Sequence, residues 1–239
     1  TPTPPPAPST PAPTLPPVTD PVSLAALMRE RITGSAITRG AVENRTAAYT
    51  RYRVTYRVGS VTVSGILLVP TGRGPFPGVV LNHGYFPVST YYSGQGLPRE
   101  QDRLAREGYV VLHTDYRGHA GSSEVSALER ELRLGYARDS IAAVSALKRE
   151  DAVDPDRVVM LGRSMGGGVT YNALVTAPGL VRAAVVYAPV SSDFVDNLRR
   201  WTIPGRSDVV RELYAEHGSP DDQPAFYAGI SPRAHFDRI

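Results

Sequence analysis

Apolar positions along the chain fall into two alternating periods, and their order predicts the architecture. From Tyr49 onward Tyr52, Val54, Tyr56 and Val58 alternate with polar residues, Gly59-Ser60 marks a turn, and Val61 to Val69 runs back. That pattern predicts an antiparallel hairpin. Short, continuously apolar runs follow at Gly78 to Asn82, Tyr109 to His113, Val158 to Leu161 and Arg182 to Ala188. Runs of this length read as strands buried on both faces, as in a parallel sheet. Between them lie helical patterns: Pro98 to Glu107, stopped by Gly108; Leu134, Ala137, Ile141, Val144 and Leu147; and Val169 to Leu174, ending before Pro178. A hairpin followed by repeated strand–helix units predicts an α/β fold, with a mostly parallel sheet and helices on both faces.

The flanks behave differently. Residues Thr1 to Pro21 contain ten prolines spaced by Thr, Ala and Ser, a composition that cannot build a packed core, so 1–21 reads as a disordered tether and 22–239 as the folded domain. Pro/Thr-rich tethers suit exported or envelope-anchored domains, which sets the expected location, with an intracellular linker as the alternative reading. Leu24, Leu27 and Met28 behind Ser23 predict a short helix over Ser23 to Ile32. Residues 191–229 carry short amphipathic patches broken by Pro204-Gly205 and Gly218-Ser219-Pro220. They read as a small helical cap whose Trp201 and Tyr214, with Phe226 and Tyr227, are expected to line a substrate site at the strand ends.

Composition removes several function classes. The 239 residues carry 26 basic and 23 acidic side chains, a net charge of +3, without a basic block, so a nucleic-acid surface is not expected. No apolar run reaches the roughly 18 residues of a membrane span. The absence of cysteine rules out disulfides and thiolate chemistry. No metal-ligand spacing or phosphate-binding glycine loop is present, since Gly166-Gly167-Gly168 follows a serine and lacks a P-loop lysine.

The chemistry concentrates at Gly162-Arg163-Ser164-Met165-Gly166, which joins the apolar run Val158 to Leu161 to a helical pattern. A serine at such a strand–turn–helix junction is held in a strained conformation that lifts its hydroxyl above the sheet, and glycines flank it because the two arms nearly touch. Ser164 is the candidate nucleophile.

The order His83-Gly84, Asp115-Tyr116-Arg117-Gly118, Gly162-Arg163-Ser164-Met165-Gly166-Gly167 resembles the α/β-hydrolase superfamily. Asp139, Val153-Asp154-Pro155 and Ile230-Ser231-Pro232 further resemble the catalytic domain of the prolyl oligopeptidase family and its dienelactone-hydrolase-like relatives. The resemblance spans Tyr49 to the C-terminus, with no room before it for a β-propeller. It implies a cofactor-independent serine hydrolase acting on a small ester or peptide substrate through an acyl-enzyme. The oxyanion donors it implies are the backbone N–H groups of Met165 and Tyr85.

The resemblance also places the triad acid and histidine after the last two strands, beyond Ile239, with the C-terminal strands of the sheet. A C-terminal segment or second chain completing the domain is therefore expected. His83, His113, His119, His217 and His235 are not in the place of the base, and Asp193 is the alternative acid within the chain. Peptidase, carboxylesterase and non-catalytic binding protein on a hydrolase scaffold all remain open at this point.

Overall fold

A computed structural model describes residues 14–239; most of the proline-rich lead, residues 1–13, lies outside the described residues. Seven strands form one sheet: β1 (Thr38–Arg45), β2 (Tyr49–Val58), β3 (Val61–Pro70), β4 (Phe76–Asn82), β5 (Val110–Thr114), β6 (Val153–Arg163) and β7 (Ala183–Tyr187). Their order is β1-β2-β3-β5-β4-β6-β7, antiparallel from β1 to β5 and parallel from β5 to β7. The expected hairpin is β2–β3, paired without a break from Tyr49↔Pro70 to Val58↔Val61.

The antiparallel end is one strand larger than the hydrophobic pattern suggests. Strand β1 has the sequence TRGAVENR and is exposed along its whole length, so it carries no burial signal. It is held by backbone pairing to β2, by Arg39 to Glu150 at 2.5 Å, and by Glu43 to Arg51 and Arg53 at 2.9 and 2.6 Å. Charges on an edge strand of this kind also discourage pairing with foreign strands.

Helices cover both faces, as expected. They are α1 (Leu24–Leu27), α2 (Pro98–Arg106), α3 (Ala127–Leu132), α4 (Leu134–Leu147), α5 (Met165–Thr176), α6 (Phe194–Asn197), α7 (Ser207–His217) and α8 (Pro224–Gly229). The period-2 alternation of the strands sorts the core into two layers. Val80, Leu112 and Met160 pack beneath Ile141, Val144 and Leu147 of α4, whereas Val79, Leu81 and Val111 face Leu97 and Ala105 at α2. A third cluster joins α1 to the helical region after β7 through Leu24, Leu27, Leu132, Leu198, Leu213 and Ile230. Strand β7 differs from the buried strand that its apolar sequence predicts: it is the edge, with Val185 and Tyr187 56% and 60% exposed.

Candidate active site

Strand β6 ends at Arg163 and α5 begins at Met165, leaving Ser164 alone at the turn with φ 56° and ψ −123°. For a residue with a Cβ this backbone is strained, and the surroundings over-determine it. A Cβ on Gly162 would lie 2.2 Å from the Gly166 carbonyl oxygen, and one on Gly166 would lie 2.0 Å from the Asn82 carbonyl oxygen. The turn is also clamped through hydrogen bonds. Ser164 N–H donates to Tyr187 O at 3.1 Å, and Ser164 O accepts from Gly167 and Val190 N–H at 2.9 and 3.1 Å. The Ser164 hydroxyl makes no hydrogen bond among the described residues.

The loop after β4 passes directly beside this hydroxyl. A Cβ built on Gly84 would sit 3.4 Å from Ser164 Cβ and 3.9 Å from its Oγ, ordinary contact distances that set this backbone against the serine. The backbone N–H groups of Tyr85 and Met165 donate to no described group. These are the N–H groups that the sequence marks as candidate oxyanion donors, and Met165 lies at the N-terminal end of a 12-residue helix. The Tyr85 ring is 55% exposed and lies 5.3 Å from the Arg206 guanidinium.

Asp115 shapes this loop from below. Its fully buried carboxylate accepts from Ser64 Oγ, Tyr91 Oη, Ser93 Oγ and Gly94 N–H at 2.6 to 2.8 Å. Four donors offset the cost of burying the charge and tie the segment between β4 and α2 to β3. Burial and the neighbouring Asp115 push the Tyr91 hydroxyl far up, which keeps it a donor. The neighbouring Arg117 does the same on the other side: its guanidinium binds the buried Asp139 carboxylate in a fork, with Nη2 to Oδ1 at 2.7 Å, and reaches Glu129 at 2.8 Å. The Asp-x-Arg-Gly turn is thus structural support for the nucleophile's surroundings.

Histidines do not reach Ser164. His83 sits with Nδ1 2.6 Å from Gly84 O and Nε2 3.2 Å from Asp115 O, fixing the loop. His113 and His119 pack on the His83 ring, with centroids 5.4 Å away in each case. His217 stacks on Phe226 at 4.2 Å. Asp193 is corrected from an alternative triad acid to a helix cap: Oδ1 accepts from Val195 and Asp196 N–H at 2.8 and 3.4 Å, and Oδ2 binds Arg233 at 2.9 Å. No histidine contacts it.

A cleft of about 700 Å³ opens over Ser164, walled by Tyr85, Phe86, Met165 and Trp201. Trp201 lines this cleft, 57% exposed on a π-helical turn, Leu198–Thr202. Tyr214 is not. It packs, partly buried, against the helical cluster with Val210, because the apolar stripe of α7 turns inward toward α3. Phe226 and Tyr227 are interior to the same cluster, and Tyr227 Oη donates to Gly218 O at 2.6 Å. Sequence reasoning missed Arg133, Arg163 and Arg206, which also line the cleft. Arg163 alone had a signal, its place inside the serine motif.

Known proteins give the same picture. Prolyl endopeptidase FAP of Mus musculus is 27% identical over 145 residues, which is 51% of this chain and 19% of that protein. The chain therefore spans about a fifth of the length of the first curated relatives it matches. Among solved structures, acetyl xylan esterase 1 from Thermoanaerobacterium aligns with a TM-score of 0.66 at 19% identity, covering 90% of this chain and 73% of that one. The acylaminoacyl peptidase of Pyrococcus horikoshii aligns with a TM-score of 0.63, also at 19% identity, covering 80% and 30%. At such identities the likeness establishes the α/β-hydrolase fold. The profile of the prolyl oligopeptidase family matches residues 97–239, more than half of the sequence and the part that holds the serine turn, its supporting Asp-x-Arg-Gly segment and the cleft wall from Leu97 to Arg206; the chain belongs to the prolyl oligopeptidase family.

Proposed function

We propose that this chain carries the nucleophile and oxyanion hole of a serine hydrolase that cleaves ester or peptide bonds through an acyl-enzyme on Ser164. The observation that carries the reading is Ser164 at positive φ, its hydroxyl in a cleft beside two N–H groups, all three without a hydrogen-bond partner among the described residues. In the reaction Ser164 Oγ attacks the carbonyl carbon while a base takes its proton, and the oxyanion forms against Met165 and Tyr85 N–H. The C–O or C–N bond then breaks, the leaving group takes the proton, and water releases the acyl group by the reverse sequence of transfers. No described histidine touches Ser164, so the base and its carboxylate are assigned to a further segment or chain that completes the domain against β7. Relatives named as an esterase and as a prolyl endopeptidase match the chain, and both bond types fit the geometry. The proline-rich lead suits a tether ahead of an exported domain.

The reading is tested by treating the complete gene product with a fluorophosphonate and locating the label by mass spectrometry. Labelling confined to Ser164 and abolished in Ser164→Ala is expected. A label of equal intensity on another residue of the Ser164→Ala protein would overturn it.

A further inference from the structure

The cleft over Ser164 is unusual in its charge. Three arginines line it, Arg133, Arg163 and Arg206, and none of its lining residues is acidic. Two carboxylates, Glu131 and Asp208, line the adjoining hollow together with Arg130, Arg133 and Arg206; Glu131 is buried and already committed, its Oε1 accepting from Thr202 Oγ1 at 2.5 Å and its Oε2 from Arg206 at 2.6 Å. Two carboxylates against three arginines leave a positive charge there, and Arg163 adds another, since it makes no ion pair among the described residues.

Arg133 is the most informative of the three. It sits in the left-handed region, φ 61°, at the junction of α3 and α4, and its side chain is only 10% exposed. Its guanidinium makes no hydrogen bond among the described residues, and its closest carboxylate oxygen, Glu131 Oε1, is 4.0 Å away. A guanidinium so far withdrawn from water and without a protein acceptor among the described residues is costly to hold, its nitrogens keeping only partial contact with solvent. So is the positive φ. Both costs are met at one residue whose free face is the cleft.

We propose that Arg133, flanked by Arg206 and with Arg163 at the rim, is a carboxylate-binding subsite, and that the substrate carries a free carboxylate beside the bond that Ser164 attacks. This rests on the hydrolase reading above. The planar fork of an arginine matches a carboxylate with two parallel N–H···O bonds, and the apolar walls at Phe86 and Leu97 strengthen such a pair by excluding water. A charge-assisted pair of this type in a partly buried site changes affinity by about tenfold or more. The π-stacked position of Arg206 over Tyr85 would place the anion on the oxyanion-loop side of the serine.

The test uses the complete gene product with two activated esters, p-nitrophenyl butyrate and mono-p-nitrophenyl glutarate, and in parallel a calorimetric titration with glutarate. Wild type is expected to favour the glutarate ester. In Arg133→Gln the ratio of kcat/KM for glutarate over butyrate is expected to fall by at least about tenfold, and glutarate binding to weaken by a similar factor; Arg133→Lys should recover part of both. Arg163→Gln, at an exposed side chain that makes no ion pair among the described residues, should lower the ratio by about threefold. An unchanged ratio in the folded Arg133→Gln and Arg163→Gln proteins overturns the subsite while leaving the hydrolase reading intact. Tighter binding of inorganic phosphate than of glutarate overturns the carboxylate assignment. Absent turnover with glutarate binding that depends on Arg133 supports the subsite and overturns the hydrolase reading instead.

Discussion

Acid should destabilise this protein through three buried histidines, and His113 allows the effect to be worked out. His113 is fully buried, neither of its ring nitrogens makes a hydrogen bond, and it stacks on His83 with centroids 5.4 Å apart. Burial lowers its pKa from 6.5 to about 4, only partly opposed by Asp115, whose Oδ1 is 3.8 Å from Nδ1, while Arg51 reinforces the lowering. The same cause brings His83 and His119 to about 4. The folded state therefore holds these rings neutral, whereas the unfolded chain protonates near 6.5. Below that pH the unfolded state binds more protons, so stability is complete above 6.5, falls as the pH drops, and levels off near 4. At about 1.36 kcal/mol per pH unit, His113 alone contributes a loss of about 3 kcal/mol across that window. Against the 5–15 kcal/mol or so of a typical domain, this is a large share.

The informative perturbation is His113→Leu, with urea unfolding midpoints measured between pH 7.5 and 4.5. At pH 7.5 the variant is expected within about 1 kcal/mol of wild type, because two buried nitrogens without partners are removed along with the ring contacts. Its loss between pH 6.5 and 4.5 should be smaller than that of wild type by about 2 to 3 kcal/mol. Identical pH slopes for the two proteins would refute the reasoning. The consequence for function follows from chain position: His83 directly precedes Gly84 and Tyr85, so protonating this cluster disturbs the loop that flanks Ser164.

Gly166→Ala should cost more than about 3 kcal/mol or prevent soluble expression, because its Cβ would meet backbone atoms of Asn82 at 2.0 and 2.4 Å; Gly205→Ala, which would meet nothing, is the control, expected within about 0.5 kcal/mol by thermal melting. Trp201→Ala should reduce kcat/KM for a phenylpropionyl ester by about tenfold and for the acetyl ester by less than about threefold, since small acyl groups draw little on a remote wall; equal losses would restrict Trp201 to packing. Tyr187→Ser, on the exposed edge, should change stability by less than about 1 kcal/mol by urea unfolding of these 239 residues, and a loss above about 2 kcal/mol would show the ring to be buried in solution.

What could be read from the chain depended on whether the signal was local. The turn at Ser164 needs only a strand, two glycines and a helix in sequence, and all three are visible between Val158 and Leu174. Strands β4, β5 and β6 were legible because burial on both faces makes them continuously apolar. Strand β1 was not, for the opposite reason: an edge strand of charged residues obeys backbone pairing alone. Tyr214 illustrates a different limit. Its helical period is real, but the period does not say which neighbour the apolar stripe will face. The arginines of the cleft were hidden because their arrangement arises in three separate places, at a left-handed junction, inside the serine motif and after a π-helical turn, that only the tertiary structure brings together.

The nucleophile is held from two sides of unequal quality. On one side Gly166 fits against Asn82, whose side chain bonds Thr170 Oγ1 at 2.9 Å and accepts from Ser140 at 2.5 Å; this wall is fully buried and lies at the centre of the sheet. On the other, Ser164 N–H bonds Tyr187 O of β7, an edge strand open to solvent, and Ser164 O receives the Val190 N–H just beyond it. The positive φ of Ser164 is thus held from β4 and the helix, while its backbone N–H and O are held from β7 and the segment just after it. Whatever stiffens β7 therefore sharpens the placement of the hydroxyl against the Met165 and Tyr85 N–H groups, and a displacement of well under the length of a bond there is enough to weaken an oxyanion hydrogen bond. The placement of the hydroxyl at this turn is in that sense a property of β7 as much as of the serine motif itself.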